Sequence, residues 1–231
     1  MLCPIREGNI PPPPSMQLWR VSWLCRFGGF GEKACLNATP TPIEIFQHVL
    51  VMIGIVLGLG ITRLLTGLAR FIQHPDRHRA YPVHLGWVVT VLLMLVHFWW
   101  WEIWLIDVPH WNFEVYLFLI AYAILLFMLC ALLFPDSIAE YAGYEDFFIS
   151  RRKWFFGIFA ATILFDVVDS LIKGPDHYTS FAGEYLFRVP IFLVLCAIAI
   201  RTPNRRFHQA FVAAGLVYEI YWIARTFNTL S

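Results

Sequence analysis

The stretch from Pro82 to Trp111 constrains the fold more than any other part of the chain. It lacks Asp, Glu, Lys and Arg as far as Glu102, and a cluster of tryptophans follows His97. With a helical rise of about 1.5 Å per residue, such a run can cross a hydrocarbon layer of about 30 Å. Tryptophan favours the membrane–water boundary, where its ring is partly apolar and its N–H group reaches water. The stretch therefore predicts a membrane-spanning helix whose tryptophan-rich end lies at the interface.

Similar apolar runs recur along the chain and predict the rest of the fold. The predicted spans cover about residues 45–72, 83–106, 114–134, 154–172, 184–200 and 207–229. They are predicted to be helical, because an open sheet cannot satisfy its backbone in lipid and the alternation of barrel strands is absent. The fold class is therefore all-α, a polytopic membrane protein with a bundle of six transmembrane helices in residues 43–231.

The composition supports this class. Only 14% of the residues are charged and 59% are hydrophobic, whereas about 25% of an average soluble protein is charged. The lipid bilayer is thus the predicted partner, and a net charge of +1 gives no indication of nucleic acid. A homo-oligomer or a membrane partner remains open.

Residues 1–42 differ from the rest of the chain. They contain the proline run Pro11 to Pro14 and a cluster of glycines, a composition that predicts a disordered tail. No apolar stretch is long enough for the core of a secretory signal. A translation start further downstream, at Met16, is an alternative.

The distribution of Lys and Arg predicts the orientation. The connections after the first, third and fifth spans, with the span ends beside them, carry Arg70, Arg77, Arg79, Arg151, Arg152, Lys153, Arg201, Arg205 and Arg206. The other two carry only Lys173 and Arg188. Because basic loops stay in the cytoplasm, both termini are predicted to lie outside. Basic residues of the tail oppose this orientation, but short loops are the stronger determinant.

The first span has a stripe of small side chains. Gly54, Gly58, Thr62 and Thr66 recur every four residues, which predicts a face for close helix packing in lipid. Arg63 lies inside the same run, and its long side chain is expected to extend to the interface.

Three segments together carry a resemblance to a known family. They are GLGITRLLTGLAR from Gly58 to Arg70, the tryptophan-rich end of the second span, and LFPD from Leu133 to Asp136. In these segments the chain resembles an uncharacterised family of bacterial six-helix membrane proteins, over about residues 43–231. The resemblance implies the bacterial inner (plasma) membrane and no known activity.

Ionisable residues within the predicted spans gather in the outer half. Such a group costs roughly 2.5–3.5 kcal/mol at bilayer depth and therefore tends to mark a site. The predicted polar cavity comprises His48, His97, Asp166, Asp169, Arg188 and Glu219. By the helical rise, His97 lies about 21 Å from the inner end of its span, and Asp166 and Glu219 about 18 Å from theirs. These three are therefore expected at similar depth.

Several pairings remain open at this level. Asp166 and Asp169 lie at i, i+3 on one helix face, where two carboxylates disfavour double ionisation, unless a cation or Arg188 holds both ionised. Glu184 and Arg188 lie at i, i+4 and are expected to form an ion pair. Glu102 lies near the predicted interface and is expected to be solvated.

Three functions fit these features. The first is a small transporter or channel for protons, cations or a small solute, with two three-helix halves of opposite orientation as in inverted-repeat transporters. The second is a non-catalytic membrane subunit or scaffold. The third is an intramembrane enzyme using Asp166, Asp169 or Glu219, but no nucleophile elbow, HExxH or phosphate-binding loop occurs, so an enzyme is not expected.

No cofactor can be assigned from the sequence. His48, His97, Asp166 and Glu219 are metal-ligand types without diagnostic spacing. His48 and His97 are also a potential pair of haem ligands.

Overall fold

The computed structural model describes residues 41–73, 81–108 and 111–228, with side chains described as far as Arg225. The predicted tail of residues 1–42, with the alternative start at Met16, lies almost wholly outside the described residues. The described part consists of six long helices joined by short connections. The prediction of an all-α fold is confirmed.

The helices run antiparallel in chain order, as short connections between spans require. They are α1 (Pro42–Gln73), α2 (Pro82–Trp101), α3 (Phe113–Leu133), α4 (Tyr144–Ile172), α5 (Pro175–Arg201) and α6 (Arg205–Asn228). A short 3-10 helix, Glu102–Asp107, continues α2, and another, Ile138–Glu140, precedes α4.

Five of these helices, α1 to α5, are long and apolar enough to cross a membrane. The protein is therefore a multi-pass membrane protein that places apolar helices in a lipid bilayer. Helix α6 is not among the five, and its apolar run is interrupted by His208, Gln209 and Glu219. A sixth span remains a prediction.

Local signals explain where the helices begin and end. Asn112 caps α3, since its side chain accepts a hydrogen bond of 2.8 Å from the backbone N–H of Val115. Gly174 has a φ of 115°, a backbone conformation that favours glycine, and separates α4 from α5. Pro175 then occupies the first turn of α5, where a missing N–H costs nothing.

Two helices are longer than the predicted spans. Helix α4 begins at Tyr144 rather than at 154, because Tyr144, Phe147 and Phe148 are buried on one face of its first turns. Helix α5 begins at Pro175 rather than at 184.

Helix α2 is the central element of the bundle. It packs against α1, α3, α4 and α6, and the other helices follow around it in the order α1, α3, α4, α5, α6. Helix α1 packs mainly on α3, whereas α4 packs mainly on α5. The two three-helix halves are therefore packed differently, which does not support the expected inverted repeat.

The face of α1 that packs differs from the predicted one. Gly58, Thr62 and Thr66 are exposed, and a Cβ atom at Gly58 would meet nothing within 4 Å. The buried face instead contains Phe46, Val49, Ile53, Leu57, Gly60, Leu64 and Gly67. The predicted packing stripe is therefore wrong at Gly58, Thr62 and Thr66, whereas Gly54 is closely packed, since a Cβ atom there would come within 2.9 Å of the Trp99 ring. The apolar residues at heptad-like spacing fill the helix interface instead, and Gly60 and Gly67 admit Cys130 and Phe134.

Arg63 extends from α1 to the connection between α3 and α4. Its guanidinium donates to the Asp136 carboxylate and, over 3.1 Å, to the carbonyl oxygen of Phe134. The hydrogen bond from Arg63 to the Asp136 carboxylate and the positive charge of Arg63 lower the pKa of Asp136. Arg63 is thus held at the loop end of the bundle, in line with the expected extension towards the interface.

Candidate functional site

A polar cavity lies between α2, α3, α4, α5 and α6. Its volume is about 100 Å³, and a space of roughly 10–15 Å³ is enough for one water. The cavity is thus large enough for several waters or a small solute. Its polar lining consists of Thr90, His97, Tyr122, Thr162, Asp166, Tyr185, Arg188, Tyr218 and Glu219, and its apolar lining is mainly aromatic.

His97 and Glu219 form the first ionisable pair of the cavity. His97 comes from α2 and Glu219 from α6, and Nδ1 of His97 lies 3.2 Å from Oε1 of Glu219. Both side chains are about 15% exposed, and both line the cavity. The structure therefore joins two residues that are 122 positions apart in the chain.

Arg188 and Asp166 form the second pair of the cavity, which is an ion pair. The Arg188 guanidinium, from α5, donates to the Asp166 carboxylate on α4. It also lies 4.8 Å from the ring centroid of Tyr185 and 5.7 Å from that of Trp222. The cation is thus held between a carboxylate and aromatic faces, an arrangement that stabilises a desolvated guanidinium.

The expected pairing of Glu184 with Arg188 is wrong. Glu184 accepts a hydrogen bond of 2.8 Å from the hydroxyl of Tyr218 and one of 3.1 Å from Arg225. Arg188 instead pairs across to Asp166 on the neighbouring helix α4, and Arg225 pairs with Glu184. Burial does not separate the two carboxylates, since the Asp166 side chain is 25% exposed and that of Glu184 is 19% exposed.

Asp169 lies away from the cavity, in a fully buried cluster of three ionisable residues. Lys173, at the end of α4, donates to Asp169 and, over 3.1 Å, to Oε1 of Glu102. The side chains of Lys173 and Glu102 are 0% exposed and that of Asp169 is 1% exposed. We call Glu102, Asp169 and Lys173 the buried triad.

The buried triad corrects two interpretations of the sequence. The expectation that Glu102 is solvated is wrong, because the 3-10 turn that follows α2 directs this residue into the bundle. Asp166 and Asp169 do not share a single cation, since Arg188 holds the first and Lys173 the second. In the sequence, Lys173 contributes only to the count of basic residues that predicts the orientation. Its i, i+4 spacing from Asp169 was the signal that could have identified the pair.

His48 does not reach the cavity. It is exposed on α1 and stacks on Tyr116 with ring centroids 6.4 Å apart. His97 faces the cavity instead, so the structure does not bring the two histidines into one site for haem. No group of three His, Cys, Asp or Glu side chains within the described ranges is placed to hold a metal ion.

The side chains around the cavity are of the types found in ion pathways and proton relays. Histidine and carboxylate side chains inside transmembrane bundles mark ion pathways and proton relays. The cavity is lined by one such pair, by the Arg188–Asp166 ion pair and by three tyrosines, around a space that admits water.

Comparison of the chain with protein-family models, with curated proteins and with solved structures found no match. The resemblance to a bacterial six-helix family therefore remains a prediction, and the functional argument rests on the site geometry.

Proposed function

We propose that the protein is a small transporter or channel that moves protons, cations or a small solute through the polar cavity. The observation that carries this proposal is the meeting of two pairs of ionisable residues, from four different helices, around one cavity large enough for several waters. Charged groups at this depth are costly unless they face protein or water. Of the candidate cargoes, protons need the least space, and His97 and Glu219 are suitable carriers for them.

Proton flux in liposomes tests the proposal. Purified protein in vesicles that enclose a pH-sensitive dye is expected to speed the decay of an imposed pH gradient. Glu219→Gln should lose this activity, because the amide still accepts a hydrogen bond from His97 but cannot carry a proton. Glu114→Gln is the matched control, since Glu114 is exposed in the first turn of α3 and should retain the wild-type rate.

The alternative is a non-catalytic subunit or scaffold. It is favoured by one observation, namely that each charge of the cavity already has a partner within the chain. Wild-type protein that leaves the gradient decay of empty vesicles unchanged, for protons and for alkali cations alike, would contradict transport and favour this alternative.

We also propose that the protein lies in a bacterial inner membrane with both termini outside. The bacterial inner membrane is what the family resemblance of residues 43–231 implies, and the orientation is argued from the excess of Lys and Arg in the connections after α1, α3 and α5. Reporter fusions after Arg79, Lys153 and Arg206 are expected to report the cytoplasm. A periplasmic signal at any of these three positions would contradict the orientation.

A further inference from the structure

With both of its carboxyl groups ionised, the buried triad would carry one negative charge more than its single cation balances. Glu102 and Asp169 would contribute two negative charges if both were ionised, and Lys173 contributes one positive charge. All three side chains are withdrawn from solvent. An uncompensated charge in such an environment is strongly disfavoured, and the usual response is that the group becomes neutral.

The hydrogen bonds of the triad point the same way. Lys173 occupies one oxygen of each carboxyl group, Oε1 of Glu102 and Oδ2 of Asp169. The other oxygens, Oε2 of Glu102 and Oδ1 of Asp169, are buried and have no hydrogen-bond partner among the described residues. Burying a carboxylate oxygen without a hydrogen-bond donor costs free energy because the oxygen is negatively charged. A proton bound to that oxygen removes the charge and lowers the cost.

The surrounding charges do not compensate the triad. Within the described ranges, Lys173 is the one cation within ion-pair distance of Glu102 or Asp169. Arg188 is already bound to Asp166, one helical turn away. The titratable groups on the elements that pack around the triad include Asp107 of the same 3-10 helix as Glu102, Glu44 and His48 of α1, His97 of α2, Tyr122 of α3, His177 and Tyr185 of α5, and Glu219 of α6.

We propose that the buried triad binds one proton at neutral pH, held on Glu102 or Asp169 and dependent on the presence of both carboxyl groups. A proton fits better than a metal cation, because Lys173 already occupies the position between the carboxylates and a metal would need further ligands there. The site stands whether or not the cavity transports anything, since it depends only on charge balance inside the bundle.

Infrared difference spectroscopy of the full-length protein tests this site. A protonated carboxyl group has a carbonyl band that a carboxylate lacks, and this band shifts in D₂O. Wild-type protein at neutral pH is expected to show such a band. Glu102→Gln and Asp169→Asn should each lose it, since either change leaves one carboxylate balanced by Lys173. Glu184→Gln is the control, because Glu184 is paired with Arg225, and should keep the band.

The infrared spectrum of Lys173→Met provides a second, independent test of the proton site. Without the ammonium group, both carboxyl groups need a proton, so this variant is expected to gain a second carboxyl contribution. If that variant does not fold, the Glu102→Gln and Asp169→Asn spectra still decide the question.

Three results would overturn the proposal. A band unchanged in both carboxyl variants would place the proton elsewhere. A band lost in only one variant would assign the proton to that carboxyl alone, without dependence on its neighbour. Absence of the band together with thermal stability that rises with sodium, compared with choline, would identify a metal cation instead. Proton flux is not part of this readout, so failure here and failure of the proposed transport are distinguishable.

Discussion

Replacement of Lys173 by Met is expected to lower the free energy of unfolding by about 3–5 kcal/mol, the usual cost of removing one partner from a buried ion pair. The side chain is 0% exposed and donates to both Asp169 and Glu102. Its loss leaves two carboxyl groups without a cation inside the bundle. The measurement is equilibrium unfolding in mixed detergent micelles, followed by tryptophan fluorescence.

Lys153→Met is the matched control for this prediction. Lys153 is exposed near the basic end of α4, so the same change of residue type there should leave the unfolding curve close to that of the wild type. Equal stability of Lys173→Met and Lys153→Met would show that the buried triad does not hold the ends of α2 and α4 together.

Replacement of Trp87 by Ala is expected to cost about 3–5 kcal/mol, as large-to-small changes at buried aromatic residues do. Trp87 is 0% exposed, inside the helix bundle. It contacts four phenylalanine rings edge to face, with centroids 5.2–5.4 Å away, namely Phe155, Phe156, Phe159 and Phe211. In lipid the loss is one of packing, because the hydrocarbon chains are as apolar as the side chains.

Trp154→Ala separates this packing effect from a general effect of tryptophan. Trp154 lies on the same helix as three of those phenylalanines but is 67% exposed. We expect the wild-type unfolding midpoint for this variant. If Trp154→Ala were as destabilising as Trp87→Ala, the aromatic cluster would not be the source of the stability.

The helices were predictable from the sequence because the bilayer imposes a local rule. A segment in hydrocarbon must satisfy its own backbone and must be long enough to cross, so composition and length decide the secondary structure. The five apolar helices α1 to α5 follow from that rule. Helix α6 combines an apolar run with His208 and Glu219. Composition and length identify a span least well where a helix carries polar side chains that face the bundle interior.

Part of the candidate site also followed from local geometry. The rise per residue places His97, Asp166 and Glu219 at similar depth without any knowledge of the neighbouring helices. The structure then places His97 within 3.2 Å of Glu219 and puts Asp166 on the same cavity.

The rotation of each helix and the choice of partners were decided only by the tertiary structure. On α1, the sequence contains a stripe of small residues and a face of larger apolar residues, and packing against α3 selected the second. Glu102 is buried because the 3-10 turn after α2 redirects it towards Lys173. The physical reason is that depth along a helix depends on one chain segment alone. The partner of a buried charge depends on the rotation of two helices, which side-chain packing sets jointly.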